Sequence, residues 1–179
     1  MIVIADTSPI NYLILIGEVH VLHQLYETVI LPQTVVAELQ HEATAQMVQQ
    51  WIAQRPNWLR IAQPSAQTVD RELERLGPGE RDAILLAQEL RADRIVIDEL
   101  TARKMAASRS LEVIGTVGVL EEAAVRDLVD FPVAIRKLQQ TSFRIDERII
   151  EKALERESER LHAREEIKRS REDDYGPQR

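Results

Sequence analysis

The sequence contains no cysteine, which excludes disulfide bonds, thiolate metal sites and a cysteine nucleophile. Aromatic residues make up only 4% of the chain, so stacking platforms for nucleic-acid bases are scarce. No linker rich in glycine, proline or serine divides the 179 residues, and the chain begins without the charged segment of a signal peptide. No apolar run approaches the roughly 18 residues of a membrane span. We therefore expect a soluble cytoplasmic protein that has no membrane contact.

An excess of positive charge is also missing, because 23 lysine and arginine residues face 30 acids and the net charge is −7. This balance argues against broad electrostatic capture of nucleic acid, which normally rests on clustered lysine and arginine. It is compatible with an acidic site that reaches phosphate through divalent cations. The chain also lacks a glycine-rich phosphate loop, a Gly-x-Ser-x-Gly elbow and a His-Glu-x-x-His zinc helix.

Short β-branched runs alternate with helical patterns over the first 125 residues. The runs predict strands over 2–4, 28–31, 58–61, 95–97 and 111–114, and one of the helices between them is predicted over 68–76. This alternation is typical of a parallel α/β sheet flanked by helices. Beyond residue 130 the pattern is helical only, and residues 151–179 hold nine acids and eight bases. We predict a domain over 1–154 and a charged helical or partly disordered tail over 155–179.

Acidic side chains recur where two of the predicted strands end. Asp6 follows the first strand, and Asp98 and Glu99 follow the fourth. Ligands of an open α/β sheet bind just beyond the carboxyl ends of its strands, so these acids stand where the chemistry of such a fold takes place. The structural alternative is that Asp6 or Ser8 caps the helix that follows.

Further acids lie in helices that start or pass near the same edge. Glu38 comes about two turns after the second strand, and Asp82 precedes the apolar face of a helix that begins near Gly79. The helix dipole accounts for Asp82 and Glu80 taken individually, because it favours acids at a helix start.

The strand-end acid set has four members, which are Asp6, Glu38, Asp82 and Asp98. If they meet, these carboxylates cannot all stay ionised without a counter-charge. Mg²⁺ or Mn²⁺ is the natural counter-charge, because hard divalent ions take oxygen ligands. A water molecule held by such an ion is a candidate nucleophile for a phosphodiester.

Four sequence segments together resemble a PIN domain, and in particular the VapC-like toxins of toxin–antitoxin modules. They are Ile-Val-Ile-Ala-Asp-Thr-Ser-Pro around Asp6, Leu-Pro-x-x-Val-Val-x-Glu ending at Glu38, Gly-x-Gly-Glu-x-Asp-Ala-Ile around Asp82, and Ile-Val-Ile-Asp-Glu ending at Glu99. The resemblance covers residues 1–154. It implies a Rossmann-like parallel sheet flanked by helices, with a helical C-terminal extension. It also implies a ribonuclease that depends on Mg²⁺ or Mn²⁺.

Carried over position by position, the resemblance makes Asp6, Glu38 and Asp82 catalytic, metal-binding acids. Ser8 would orient a ligand or water beside Asp6, and Glu80 would be a further contributor.

The fourth acid departs from the family pattern. Many PIN domains have a threonine two residues before the last acid, and Val96 or Ile97 stands there in this chain. Either Asp98 or Glu99 is therefore the fourth metal-binding acid.

The resulting hypothesis is an endonuclease that hydrolyses RNA by metal-activated water, with a cognate antitoxin protein blocking its acidic cleft and a homodimer as a possible assembly. One alternative is a non-catalytic PIN-like module that binds a protein partner. A second is a phosphotransfer domain with Asp6 as the covalent acceptor. It fits worse, because Ser8 stands where a haloacid-dehalogenase-like phosphatase would have its second aspartate.

Overall fold

A computed structural model of the chain describes residues 1–65 and 71–174, with side chains described as far as residue 170. Its centre is a five-stranded parallel sheet in the order β3-β2-β1-β4-β5. The strands are β1 (Ile2–Ala5), β2 (Thr28–Pro32), β3 (Leu59–Ala62), β4 (Arg94–Val96) and β5 (Val113–Ile114). All five lie where the sequence predicts a strand, so the predicted α/β fold with a parallel sheet is confirmed.

Helices connect and cover the strands. They are α1 (Thr7–Leu15), α2 (Val21–Leu25), α3 (Gln33–Leu39), α4 (Gln46–Ala53), α5 (Pro78–Glu89), α6 (Leu100–Ser108), α7 (Thr116–Val125), α8 (Phe131–Gln139) and α9 (Glu147–Asp174). The helix predicted over 68–76 falls partly on residues 66–70, which lie outside the described residues. Its described part forms a single 3₁₀ turn at Leu73–Arg75.

The sheet separates two apolar layers, and this explains why its strands are continuously apolar. Val3 and Ala5 face one layer with α1, α7 and α8, whereas Ile4 faces the other layer with α5 and α6. A strand buried on both faces has no solvent side on which polar residues could alternate. Runs of β-branched residues therefore indicate strands that lie between two layers of helices.

The order in which the chain adds strands to the sheet reverses between β1 and β4. From β1 the chain builds β2 and β3 on one side, and then returns to place β4 and β5 on the other. The backbone N–H of Asp6 donates to the carbonyl oxygen of Val96 at 3.0 Å, which extends the β1–β4 pairing by one residue. Such a switch point opens a crevice at the carboxyl ends of the strands, which is where ligands bind.

Helix α9 continues through the predicted boundary at residue 154 and packs on α7. Two ion pairs join α9 to the α7 region, Arg156 to Glu121 at 2.7 Å and Arg164 to Asp127 at 2.5 Å. Residues 161–170 are exposed, and residues 175–179 of the predicted tail lie outside the described residues. Within the described residues, no helix combines the length and apolarity needed to cross a membrane.

Candidate active site

Asp6 is a buried carboxylate at the switch point of the sheet. Its side chain is 3% exposed, and its Oδ1 atom has no hydrogen-bond partner. The pKa of Asp6 is raised to about 7, mainly because burial desolvates the carboxylate, with a contribution from the charges of Glu80 and Glu38 and against the lowering effect of the Thr7 and Ser8 amides. Asp6 occupies the N-cap position of α1, but its side chain makes no capping hydrogen bond. Helix capping therefore does not account for this carboxylate.

Glu38 joins three elements beside Asp6. The Thr7 hydroxyl at the start of α1 donates to Glu38 Oε2, and the Gly79 N–H in α5 donates to Glu38 Oε1 at 3.0 Å. A Cβ atom at Gly79 would lie only 2.7 Å from Glu38 Oε2, so a larger residue at this position would displace the carboxylate. The close packing of α3 on α5 thus holds Glu38 toward the sheet edge.

Two acids in the first turns of α5 lie near this edge. Glu80 accepts a hydrogen bond from the Gly77 N–H at 2.9 Å. Burial raises the pKa of Glu80, and the charges of Glu99 and Glu38 add to the rise while the Gly77 amide opposes it. Asp82 is mostly buried and accepts a hydrogen bond from Arg81 Nε at 3.1 Å. Glu80 therefore combines helix capping with electrostatic coupling to the site, whereas Asp82 is paired with a cation.

The two acids after β4 have different surroundings. Asp98 accepts the Thr116 N–H at 2.8 Å and the Thr116 hydroxyl at 2.6 Å, and burial raises its pKa despite these bonds and the nearby Arg103. Glu99 is exposed and caps α6 by accepting the Ala102 N–H at 2.7 Å. Desolvation acts to raise the pKa of Glu99, but its hydrogen bonds bring the pKa below the usual value. Asp98 is thus a half-buried acid bound to Thr116, and Glu99 caps a helix.

The structure couples some of the predicted site residues more closely than others. The charges of Glu80 and Glu38 raise the pKa of Asp6, whereas Asp82 is turned to Arg81 and Asp98 to Thr116. Ser8 lies in the first turn of α1, where its amide acts on Asp6. Over residues 1–65 and 71–170, no three histidine or acidic side chains converge closely enough to hold a metal ion. The carboxylates instead accept bonds from neighbouring N–H and O–H groups.

Sequence reasoning missed the residues that position these acids. Thr7 and Thr116 each lie two residues after the last residue of a strand. This position is the sequence signal that could have indicated them. Gly115 was also missed. A Cβ atom there would lie 2.8 Å from both Asp98 Oδ1 and Arg103 Nη1, so glycine allows both side chains to pack on the backbone.

Replacement of Thr116 by valine should destabilise the protein by about 2 kcal/mol, because a buried carboxylate then loses one of its two donors. The matched control is Thr34→Val, which removes a buried hydroxyl that has no hydrogen-bond partner and should be neutral or stabilising. Urea unfolding at pH 7.5 measures both changes. Equal effects of the two substitutions would show that the Thr116 hydroxyl does not stabilise Asp98.

Comparison with known proteins confirms the predicted family. The sequence profile of the PIN domain matches residues 2–159. Among solved structures, a PilT N-terminus domain protein from the hyperthermophilic archaeon Sulfolobus solfataricus P2 is similar, with 14% identity and a TM-score of 0.48 over 69% of this chain and 93% of that chain. A search of curated proteins finds no significant match.

PIN domains are generally nucleases and typically bind divalent metals. With acids gathered at the carboxyl edge of its sheet and a profile match over most of its length, this chain belongs to the PIN domain family.

Proposed function

We propose that this PIN domain is a ribonuclease that hydrolyses RNA phosphodiester bonds with Mg²⁺ or Mn²⁺. The observation that carries the proposal is the Asp6 carboxylate, which is buried at the switch point with one oxygen unpartnered and with Glu38 and Glu80 nearby. Burying a carboxylate among like charges is costly, and a bound cation removes the cost. A site of this kind is typical of functional positions rather than of structural ones.

The available ligands fit a hard divalent cation in their chemistry, because every candidate donor is a carboxylate oxygen. Asp6, Glu38 and Asp82 would hold the ion, with Glu80 as a further contributor. A divalent ion at this place supplies charge neutralisation and Lewis acidity toward a phosphodiester. The fourth acid would be Asp98 or Glu99: Asp98 accepts two hydrogen bonds from Thr116, whereas Glu99 caps α6 and its charge acts on Glu80.

The chain's own residues would prepare this site for an anionic substrate. Thr7 and Gly79 hold the Glu38 carboxylate in one orientation. Burial raises the pKa of Asp6, and the Thr7 and Ser8 amides oppose this rise in favour of the ionised form that binds a cation. Burial of Asp6 limits the access of water to the site, which strengthens the electrostatic interactions made there.

The proposal extends to a biological role as the toxin of a type II toxin–antitoxin module. Its partners are then an RNA substrate, a cognate antitoxin that covers the acidic cleft, and a second copy of this chain in a homodimer. Support for the role comes from the resemblance of the four acidic segments to VapC-like proteins. A small DNA-binding protein encoded beside this chain would strengthen it.

A non-catalytic module that binds a protein partner is the second candidate. The observation that favours it is that the acids of the described residues form no group of three that could hold a metal ion. In this reading the hydrogen bonds of Glu38 and Asp98 serve the fold alone. The two functions differ in whether the protein binds a divalent cation at the acidic cleft.

Addition of Mn²⁺ to the metal-free protein should raise its melting temperature by about 5–10 °C at saturating concentration. A ligand at about 100 times its Kd stabilises the native state by about 2.7 kcal/mol, and 1 kcal/mol corresponds to roughly 2–4 °C for a chain of this size. Asp82→Ala should lose the shift, whereas Glu155→Ala, at an exposed position on α9, should keep it. Each variant is compared with itself in EDTA by thermal unfolding. An unchanged shift in Asp82→Ala would contradict the proposed site.

A further inference from the structure

We infer that the cavity beside Asp98 is a nucleotide subsite, which takes the base and phosphate of the RNA nucleotide next to the cleaved bond. The inference rests on the proposed ribonuclease function and adds a second binding element to it. The cavity has a volume of about 430 Å³, within the usual range for ligand pockets. We call it the β5 cavity. Its lining includes Asp98, Arg103, Ile114, Val117, Arg144 and Ile149.

The β5 cavity lies at the same edge of the sheet as Asp6. Asp98 follows β4 at this edge and also lines the cavity. β4 lies beside β1, which carries Asp6 at its end, and β5 is the next strand along the same edge. A single RNA strand lying across the carboxyl ends of β1, β4 and β5 would therefore reach the cavity directly beyond the acids.

The walls of the cavity suit the flat face of a base. They are largely apolar and include residues from β5, the first turn of α7 and the start of α9, among them Val113, Ile114, Val117, Ile145 and Ile149. Leu100 and Ile149 belong to its lining and are 62% and 47% exposed, although both are large apolar side chains. An apolar surface left open beside a polar site is typical of a ligand subsite.

Two guanidinium groups line the cavity in this acidic protein, and the charge of Arg103 also acts on Asp98. Arg103 Nη1 donates to the Ile97 carbonyl at 2.8 Å, and Arg144 Nη1 donates to the Phe143 carbonyl at 3.0 Å. Neither arginine forms an ion pair in the part of the chain that the structure describes. Each guanidinium has five N–H donors, so most remain available for phosphate oxygens.

Three acids line the cavity, of which two form ion pairs and the third, Asp98, accepts hydrogen bonds from Thr116. Glu121 pairs with Arg156 at 2.7 Å, and Asp146 pairs with Arg148 at 2.7 Å. An apolar wall with two arginines matches a nucleotide better than it matches an apolar protein segment, which would leave the guanidinium groups without a counter-charge.

The test uses the full chain and substitutes exposed residues at the rim of the cavity. Ile149→Trp fills the entrance, and Ile167→Trp is its matched control at an exposed site farther along α9. Arg144→Gln removes a cation, and Arg55→Gln is its exposed control outside the cavity. KM is measured with a mixed-sequence single-stranded oligoribonucleotide. Turnover of bis(p-nitrophenyl) phosphate, a diester without bases, is measured in parallel. Affinity for the same oligonucleotide is measured by fluorescence anisotropy in the Asp6→Asn background.

Ile149→Trp is expected to raise both the KM and the Kd for RNA about tenfold, and to lower the ratio of RNA to diester turnover. Arg144→Gln should reduce the salt dependence of binding by about 0.7 in the slope of log K against log salt, as expected for one phosphate contact on a single strand. The two controls should behave as the parent.

Unchanged RNA affinity in Ile149→Trp would overturn the subsite. It would also be overturned if Ile149→Trp weakened the binding of a protein partner while the KM and Kd for RNA stayed the same. A parent that hydrolyses neither substrate would refute the proposed function instead. In that case the anisotropy measurements alone decide whether the cavity binds RNA.

Discussion

Replacement of Asp6 by asparagine is expected to lower RNA cleavage by about 10²- to 10³-fold, the scale seen when one group that stabilises charge in a transition state is removed. Asparagine keeps the size and one oxygen of the side chain but removes the negative charge that a divalent cation requires. Asp6 is buried, and the charges of Glu80 and Glu38 act on its carboxylate, which places it among the acids of the cleft.

Cleavage of a labelled RNA is measured with Mg²⁺ or Mn²⁺ for the parent, Asp6→Asn and the exposed control Glu155→Gln. Circular dichroism and urea unfolding establish that the asparagine variant is folded. Glu155→Gln should retain the parent rate, because its side chain lies on the solvent side of α9. Cleavage by folded Asp6→Asn at the parent rate with Mg²⁺ present would refute the proposed mechanism.

The free energy of unfolding of the metal-free protein should fall by about 2–3 kcal/mol between pH 5 and pH 7 through the titration of Asp6. The pKa of Asp6 is about 7 in the folded chain against an ordinary value of 3.8, so the native state binds the proton more tightly than the unfolded state. The stability contributed by the protonated carboxyl is therefore present at low pH. It is lost as the pH rises toward 7, at about 1.36 kcal/mol per unit.

The Asp6→Asn variant isolates this contribution from other titrating groups. The variant cannot ionise at this position, so its stability relative to the parent should increase from pH 5 to pH 8 in EDTA. Saturating Mn²⁺ at pH 8 should reverse the difference, because the cation stabilises only the carboxylate form. Urea unfolding at each pH gives these free energies. Parallel pH profiles for the parent and the variant would mean that Asp6 titrates in the folded protein as it does in the unfolded chain.

The fold could be predicted because its signals are local. The continuous apolar runs of β1 and β4 indicate strands buried on both faces, and their alternation with helices indicates parallel pairing. The helix predicted over 68–76 shows the limit of this reasoning. Spaced apolar residues such as Leu73 and Leu76 predict a helix. The described part of this segment instead forms one 3₁₀ turn, and Leu73 and Leu76 pack into the same apolar layer as α5.

By itself, the sequence determined the parallel α/β fold and the position of the acids, because the end of an apolar run shows where a strand stops. Only the tertiary structure decided which atoms those acids contact. Thr7 and Glu38 are separated by 31 positions, and Asp98 and Thr116 by 18. Pairs so distant in the chain meet through the packing of helices on a sheet. No local pattern encodes that geometry, so the hydrogen bonds of the acids and the cavity beside Asp98 could be found only in the folded chain.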